Sequence, residues 1–176
     1  MISLRELRRT RKPLCLAALC VAGFAAHPAL GATASASSEG VIVAPNTLIK
    51  TDDLMFGSIM PSATAGTVTI AAATGARTST GGATPVGAGY QRAEFVGMAP
   101  IGIFTNVTLP SGTTTLNRVG GGASMNATLA VEGGTGIRWF PGTGVQTFRV
   151  GGTLNVGANQ TAGQYLGTFT LQVDYL

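Results

Sequence analysis

The clearest pattern in the chain is an alternation of hydrophobic and polar residues over residues 163–176. One face of this segment carries Tyr165, Phe169, Leu171, Val173 and Tyr175, whereas the other face carries glutamine, threonine and aspartate, with Leu166 as the one exception. A period of two residues is typical of a β-strand with one buried face and one face in water. We therefore predict a strand over residues 164–175. We expect its partner strand to come from earlier in the chain or from another molecule.

Shorter β-type runs recur along the rest of the chain, each bounded by glycine, proline or asparagine. No window shows the spacing of an amphipathic helix over a helical length. The other predicted strands cover residues 40–49, 54–59, 67–71, 91–96, 103–109, 124–131 and 147–156. About seven or eight short strands separated by glycine-rich turns predict an all-β fold, namely an antiparallel β-sandwich or barrel.

Residues 1–31 have the pattern of a secretory signal peptide. Basic residues precede an apolar run over residues 14–26, and small residues follow around Gly31. The apolar run is shorter than the roughly 20 residues that cross a bilayer, so we expect no membrane span after signal cleavage. We expect export through the inner membrane to the periplasm, and then to the cell surface or the extracellular space.

Removal of residues 1–31 changes the charge and the available chemistry. The formal net charge of +4 comes from this segment, and residues 32–176 hold six basic and six acidic residues. Because no basic cluster is left to neutralise phosphates, we expect no nucleic-acid partner. Both cysteines and the histidine also lie in residues 1–31, so no thiol nucleophile or imidazole base stays behind. We predict no catalytic residue, no cofactor and no metal site.

A pair of carboxylates is the enzymatic option that these residues leave open. Glu94 and Glu132 lie in or beside predicted strands, and a glycoside hydrolase would need them to converge in a cleft. We expect them instead to be solvent-facing charges opposite Arg92 or Arg138, and we predict that the protein is not an enzyme.

The adjacent aromatic residues Trp139 and Phe140 form a candidate ligand contact. They lie between Arg138 and Pro141 in a glycine-rich stretch, and such aromatics can contact a sugar or a protein. The alternative interpretation is an aromatic loop that folds onto the end of the sandwich.

Residues 32–49 form either an N-terminal arm or a first strand, ahead of a sandwich domain over residues 50–176. Small apolar and hydroxyl residues alternate over residues 32–38, and Val41-Ile42-Val43 precedes Pro45. A flexible leader and an extended arm that lies in a groove of a neighbouring subunit are both compatible with this composition.

The C-terminal segment resembles the last strand of chaperone–usher pilus subunits, which carry a glycine fourteen residues from the end and a penultimate tyrosine. Gly163 and Tyr175 occupy these places. A longer series also resembles a bacterial family of secreted domains of unknown function, placed beside pilus subunits and spore coat protein U. The series, over roughly residues 50–175, consists of Leu54-Met55-Phe56-Gly57-Ser58-Ile59, Gly66-Thr67-Val68-Thr69-Ile70, Arg77-Thr78 with Gly81-Gly82, Thr84-Pro85-Val86-Gly87, Leu109-Pro110, Gly151-Gly152-Thr153-Leu154-Asn155-Val156-Gly157-Ala158-Asn159-Gln160 and Gly163-Gln164-Tyr165-Leu166-Gly167-Thr168-Phe169.

This resemblance implies an immunoglobulin-like sandwich that lacks its last strand, in a fimbria-like or surface-coat assembly. In pilus subunits the N-terminal arm of the next subunit fills the resulting groove by strand addition. The implied groove residues are Gly163, Tyr165, Phe169, Leu171, Val173 and Tyr175. The implied donor arm contains Ala32, Ala34, Ala36, Val41 and Val43. Many pilus subunits carry a disulfide, whereas residues 32–176 contain no cysteine.

The implied partners are other copies of the chain or related subunits, a periplasmic chaperone and an outer-membrane usher. The alternative function is that of a monomeric secreted or cell-surface binding module, whose own N-terminal strand completes the sandwich. The two functions differ in whether the strand beside the C-terminal segment comes from the same chain or from another.

Overall fold

The computed structural model describes residues 46–176. Within this range the regular structure is entirely β-strand with antiparallel pairing, so the prediction of an all-β antiparallel fold is confirmed. The strands in chain order are β1 (Thr47–Asp52), β2 (Ser58–Met60), β3 (Gly66–Ile70), β4 (Arg77–Gly81), β5 (Thr84–Val86), β6 (Ala93–Met98), β7 (Phe104–Thr108), β8 (Thr113–Arg118), β9 (Ser124–Val131), β10 (Gly136–Trp139), β11 (Val145–Val156), β12 (Tyr165–Leu166) and β13 (Gln172–Tyr175).

One large sheet has the strand order β1-β6-β11-β9-β8-β12, and β3 and β4 extend it from β11. The long strand β11 changes its neighbour along its length. Its first part, up to Val150, pairs with β6, and its last part, from Gly152, pairs with β3. At the change, a Cβ on Gly151 would clash with the backbone of Ile70 and Ala72. Glycine is therefore required where the strands approach this closely.

Two small sheets cover one face of the large sheet and enclose two cores. The sheet β10-β7-β13 covers the first core, and the sheet β2-β5 with its flanking segments covers the second. Alternate residues of β9 and β11 point into both cores, as expected for one face of a sheet. The buried residues of the first core are Ala93, Ala99, Val107, Leu129, Val131, Phe140, Phe148, Val150 and Leu171. Those of the second are Phe56, Val68, Ile70, Ala83, Ala127, Leu154 and Val156.

Several sequence-predicted strands are confirmed and others were missed. The prediction for residues 124–131 matches β9 at both ends, and those for 67–71, 91–96, 103–109 and 147–156 match β3, β6, β7 and β11 within about two residues. The prediction for 54–59 only overlaps β2, and residues 40–45 of the first predicted strand lie outside the described residues. The strands β4, β5 and β8 were not predicted, because their residues are mainly threonine, serine, glycine and proline rather than alternating apolar residues. The strand β10 was also missed, although Ile137 and Trp139 alternate with Gly136 and Arg138.

The prediction of one continuous strand over residues 164–175 is wrong. The segment instead contributes β12 to the large sheet, where it pairs with β8, and β13 to a small sheet, where it pairs with β7. Gly167 lies in the break, where a Cβ would stand only 2.6 Å from the carbonyl oxygen of Thr115. The chain crosses from one layer to the other at this close approach, which a regular strand cannot do.

Candidate functional site

The C-terminal strand β13 lies at the outer edge of its small sheet. In the described part of the chain it pairs only with β7, just as β1 pairs only with β6 at the edge of the large sheet. The hydroxyl of Tyr175 donates a hydrogen bond of 2.8 Å to the carbonyl oxygen of Thr47 and so connects the two edge strands. Burial raises the pKa of Tyr175, which keeps this hydroxyl protonated as a donor. We refer to the adjacent edges of β1 and β13 as the open side.

The side chains that alternate along the C-terminal segment fill the first core. Phe169, Leu171, Val173 and Tyr175 all pack there, and Leu171 is only 6% exposed. The Tyr175 ring meets Phe140 edge-to-face at a centroid distance of 5.9 Å. Since these side chains already occupy the space beneath β13, a strand added at the open side would gain mainly hydrogen bonds to the main chain.

The two other residues assigned to the groove lie elsewhere. Gly163 is exposed, with the Arg118 side chain against its backbone. Tyr165 lies in β12, and its hydroxyl donates a hydrogen bond of 2.6 Å to the carbonyl oxygen of Thr161. Gly163 and Tyr165 therefore lie apart from the four residues that pack beneath β13.

The sequence-predicted donor arm lies outside the described residues, because Ala32, Ala34, Ala36, Val41 and Val43 all precede residue 46. The described chain starts with a turn, since Asn46 has a left-handed φ of +66° directly before β1. Asparagine tolerates this conformation better than most residues.

The structure separates the two aromatic residues of the sequence-predicted ligand contact. Phe140 is fully buried in the first core, whereas Trp139 is 55% exposed on the outer face of β10. Trp139 pairs with Phe104 across the strands, and the two rings meet edge-to-face at 4.9 Å. The outer face of this small sheet also exposes Ile137 and Leu176. Sequence reasoning missed Phe104, Ile137 and Leu176, although the alternation within β7 and β10 would have placed Phe104 and Ile137 outside.

The carboxylates Glu94 and Glu132 both contact Arg149. The Arg149 guanidinium lies 3.2 Å from Glu94 and 3.0 Å from Glu132, and Arg92 lies 2.9 Å from Glu94. The hydrogen bond from Arg92, followed by that from Arg149, lowers the pKa of Glu94, and the bonds to Glu132 and Glu94 raise the pKa of Arg149. A general acid needs a raised carboxyl pKa, whereas the pKa of Glu94 is lowered. The arrangement of these side chains is therefore that of an ion-pair network on the sheet surface rather than that of an acid catalyst.

The lowered pKa of Glu94 predicts acid-sensitive stability. A carboxylate whose folded-state pKa lies below its unfolded value of 4.5 stabilises the fold above about pH 4.5, and this contribution is lost as the pH falls through the folded pKa. We expect Glu94→Gln to flatten the loss of the free energy of unfolding between about pH 5 and pH 3. Urea titrations at several pH values measure the slope. An unchanged slope in the variant would contradict the assignment.

Arg77 has a positioning role that the sequence did not reveal. Its guanidinium donates to the carbonyl oxygens of Phe56, at 3.3 Å, and Gly87, at 2.6 Å, and it lies 4.3 Å from the centre of the Tyr90 ring. These contacts connect the segments that flank the sheet β2-β5, so Arg77 supports the cover of the second core.

Within residues 46–176, no group of three or more histidine, cysteine, aspartate or glutamate side chains is arranged to hold a metal ion. The same range contains no helix that is long and apolar enough to cross a membrane. The large sheet carries open depressions in the described part of the chain, and no residue of β13 lines the two that have the best-defined walls.

A family model matches nearly all of the described part of the chain. The model of a family described as "Domain of unknown function (DUF4402)" matches residues 47–175, which is the whole range from β1 to β13. The description of this family mentions neither pilus subunits nor spore coat proteins. No curated protein and no solved structure matches the chain.

Proposed function

The chain belongs to the DUF4402 family of domains of unknown function, and we propose that it is an exported, non-enzymatic structural subunit of a fimbria-like or surface-coat assembly. In this proposal, residues 32–45 of one copy add as a strand to the open side of another copy. The observation that carries the proposal is the outer edge of β13, which pairs only with β7 in the described part of the chain.

The hydrogen-bond pattern identifies the main-chain groups that an added strand would meet. The Leu176 N–H donates to the Phe104 carbonyl oxygen at 2.8 Å, which makes these two residues a hydrogen-bonded pair. In an antiparallel ladder such pairs alternate with non-hydrogen-bonded pairs. With the register of β13 on β7, the N–H and C=O groups of Val173 and Tyr175 therefore point away from β7, toward the incoming strand.

Unpaired edges of this kind attract other strands, and proteins usually protect them with short strands, charged residues (above all lysine), proline or bulges. The edge strand β13 is short and carries the charged Asp174, but it contains neither lysine nor proline. Each main-chain hydrogen bond to an added strand contributes about 0.5–1.5 kcal/mol, and Val41 and Val43 of the arm add apolar burial. The proposed partners are a periplasmic chaperone, which covers the edge before assembly, and an outer-membrane usher.

A second candidate function is a monomeric secreted or cell-surface binding module with a self-completed sandwich. The contact between Tyr175 and Thr47 favours it, because it brings the start of β1 to the carboxyl end of β13. The turn at Asn46 would let residues 40–45 of the same chain run beside β13, in this case parallel to it. The exposed pair Trp139 and Phe104 would then be the ligand contact.

Disulfide cross-linking separates the two functions, because residues 32–176 contain no natural cysteine. One copy carries Ile42→Cys and another carries Asp174→Cys, since both side chains would face outward on adjacent strands. For strand exchange between copies, oxidation of the mixture should give a covalent heterodimer. In a second mixture, Ala44→Cys replaces Ile42→Cys. This mixture tests an alignment in which the added strand is shifted by two residues along β13.

The control mixture pairs Ile42→Cys with Ser79→Cys, which is exposed on β4, a strand that pairs with neither β1 nor β13, and it should give little cross-linking. A single chain that carries both Ile42→Cys and Asp174→Cys tests the alternative. If this chain forms an intramolecular disulfide while the mixtures stay monomeric, the sandwich completes itself and the assembly proposal is wrong.

A further inference from the structure

Four segments that are far apart in the chain meet around an open depression on the large sheet. They contribute Ala65 to Thr67, Thr80 with Gly81, Ser124 to Asn126, and Asn155 to Gly157 with Gln160. The depression has a volume of about 590 Å³, which lies within the range of small-ligand sites. No residue of β1 or β13 lines it, so a ligand could bind there whether or not the subunit assembles by strand addition.

Four strands provide a polar floor. The register places Asn155 of β11 beside Thr67 of β3, and Thr67 beside Thr80 of β4. On the other side of β11 lies Asn126 of β9. The main-chain carbonyl oxygen of Asn126 accepts a hydrogen bond of 3.2 Å from the side-chain amide of Asn155. Because strands lie about 4.8 Å apart, this row spans about 14 Å. Strand alternation turns all four side chains away from the second core.

The wall of the depression is held in place by hydrogen bonds. The Gln160 side chain accepts a bond of 3.3 Å from the Gly157 N–H and donates to the Tyr165 hydroxyl at 2.8 Å and to the Ser124 carbonyl oxygen at 3.3 Å. The neighbouring Asn159 has a left-handed φ of +49°, a turn conformation that asparagine tolerates. The wall is therefore positioned before any ligand arrives.

The chemistry of the lining selects an uncharged ligand. None of the described residues that line the depression is ionisable, so a charged ligand would find no partner for a charge-assisted bond. The floor consists of hydroxyl and amide groups, which both donate and accept. The Thr67 and Thr80 hydroxyls share a bond of 2.8 Å, and this leaves further acceptor positions on both oxygens.

The centre of the floor is unsuited to a peptide strand. Of the four floor strands, β3, β9 and β11 are each paired on both sides and only β4 ends at an edge, whereas strand addition needs a free edge. Met125 and Val156 are the apolar residues of the lining besides alanine and glycine. We propose that this depression binds an uncharged carbohydrate, as a short stretch of a neutral glycan chain that bonds to the Asn126, Asn155 and Thr67 side chains.

Titration calorimetry of the exported protein with maltotriose, cellotriose, laminaritriose and mannotriose, each at millimolar concentration, tests the proposal. We expect binding of at least one of them, and no binding of charged trigalacturonate. The double variant Asn126→Ala/Asn155→Ala should lower the affinity by about tenfold or more, because it removes at least two hydrogen bonds. The matched control is Asn106→Ala, on the outer face of the small sheet, and it should bind as the unchanged protein does.

Thermal unfolding of each variant establishes that the fold is intact. The proposal is overturned if none of the four sugars binds, or if the double variant is folded and binds as tightly as the unchanged protein. Loss of sugar binding in Trp139→Ala but not in the double variant would also overturn it, since the sugar would then contact the exposed aromatic pair.

Discussion

Replacing Phe148 by alanine is expected to lower the free energy of unfolding by about 3–5 kcal/mol, the usual cost of removing a fully buried phenylalanine. Phe148 is 0% exposed at the centre of the first core. A Cβ on Gly97 would lie only 2.7 Å from its ring, so the ring packs directly on the backbone of β6. The neighbouring strands cannot collapse into the cavity without breaking the ladders on both sides of β11.

The matched control is Phe104→Ala, because Phe104 is 48% exposed and packs on Trp139 outside the core. We expect it to cost about 1 kcal/mol, close to the value of an aromatic pair at the surface. Urea unfolding followed by tryptophan fluorescence and circular dichroism measures both. Equal losses for the two variants would contradict the assignment of the first core.

Val173→Pro is expected to reduce assembly by at least about tenfold while the subunit stays folded. The Val173 N–H points away from β7, so proline removes no bond of the small sheet. It removes one donor from the outer edge and places its ring where the added strand would lie. Proline is tolerated in edge strands when its missing N–H would face outward.

The control for this change is Val173→Ala, which keeps the N–H and loses more of the side chain. If the edge acts through its main chain, Val173→Ala should still assemble and Val173→Pro should not. Equal assembly of both variants, measured by light scattering at matched concentration, would exclude the edge of β13 as the site of addition.

The sequence predicted a strand well where alternation was complete. In β9, Met125, Ala127, Leu129 and Val131 all face inward, and the predicted bounds agree with the structure. In β8 the single apolar residue Leu116 stands among threonines and asparagine, so local composition indicates a loop. The strand forms because its neighbours β9 and β12 supply hydrogen bonds, and this information lies far away in the chain.

The C-terminal segment shows the same limit at the candidate site. Alternation correctly placed Phe169, Leu171, Val173 and Tyr175 on one buried face, because side-chain direction is a local property. It could not show that the chain changes sheets at Gly167, since that depends on which strands lie nearby. For the same reason, the sequence could indicate an edge strand but could not identify Thr47 as the partner of Tyr175.

Multi-angle light scattering of residues 32–176, beside a form that lacks residues 32–45 and beside Val173→Pro, tests the central claim most directly. We predict masses above that of one subunit for the unchanged protein, and a folded monomer for the two altered forms. A monodisperse monomer for the unchanged protein, together with unfolding of the form that lacks residues 32–45, would contradict assembly by strand addition and would establish a self-completed sandwich.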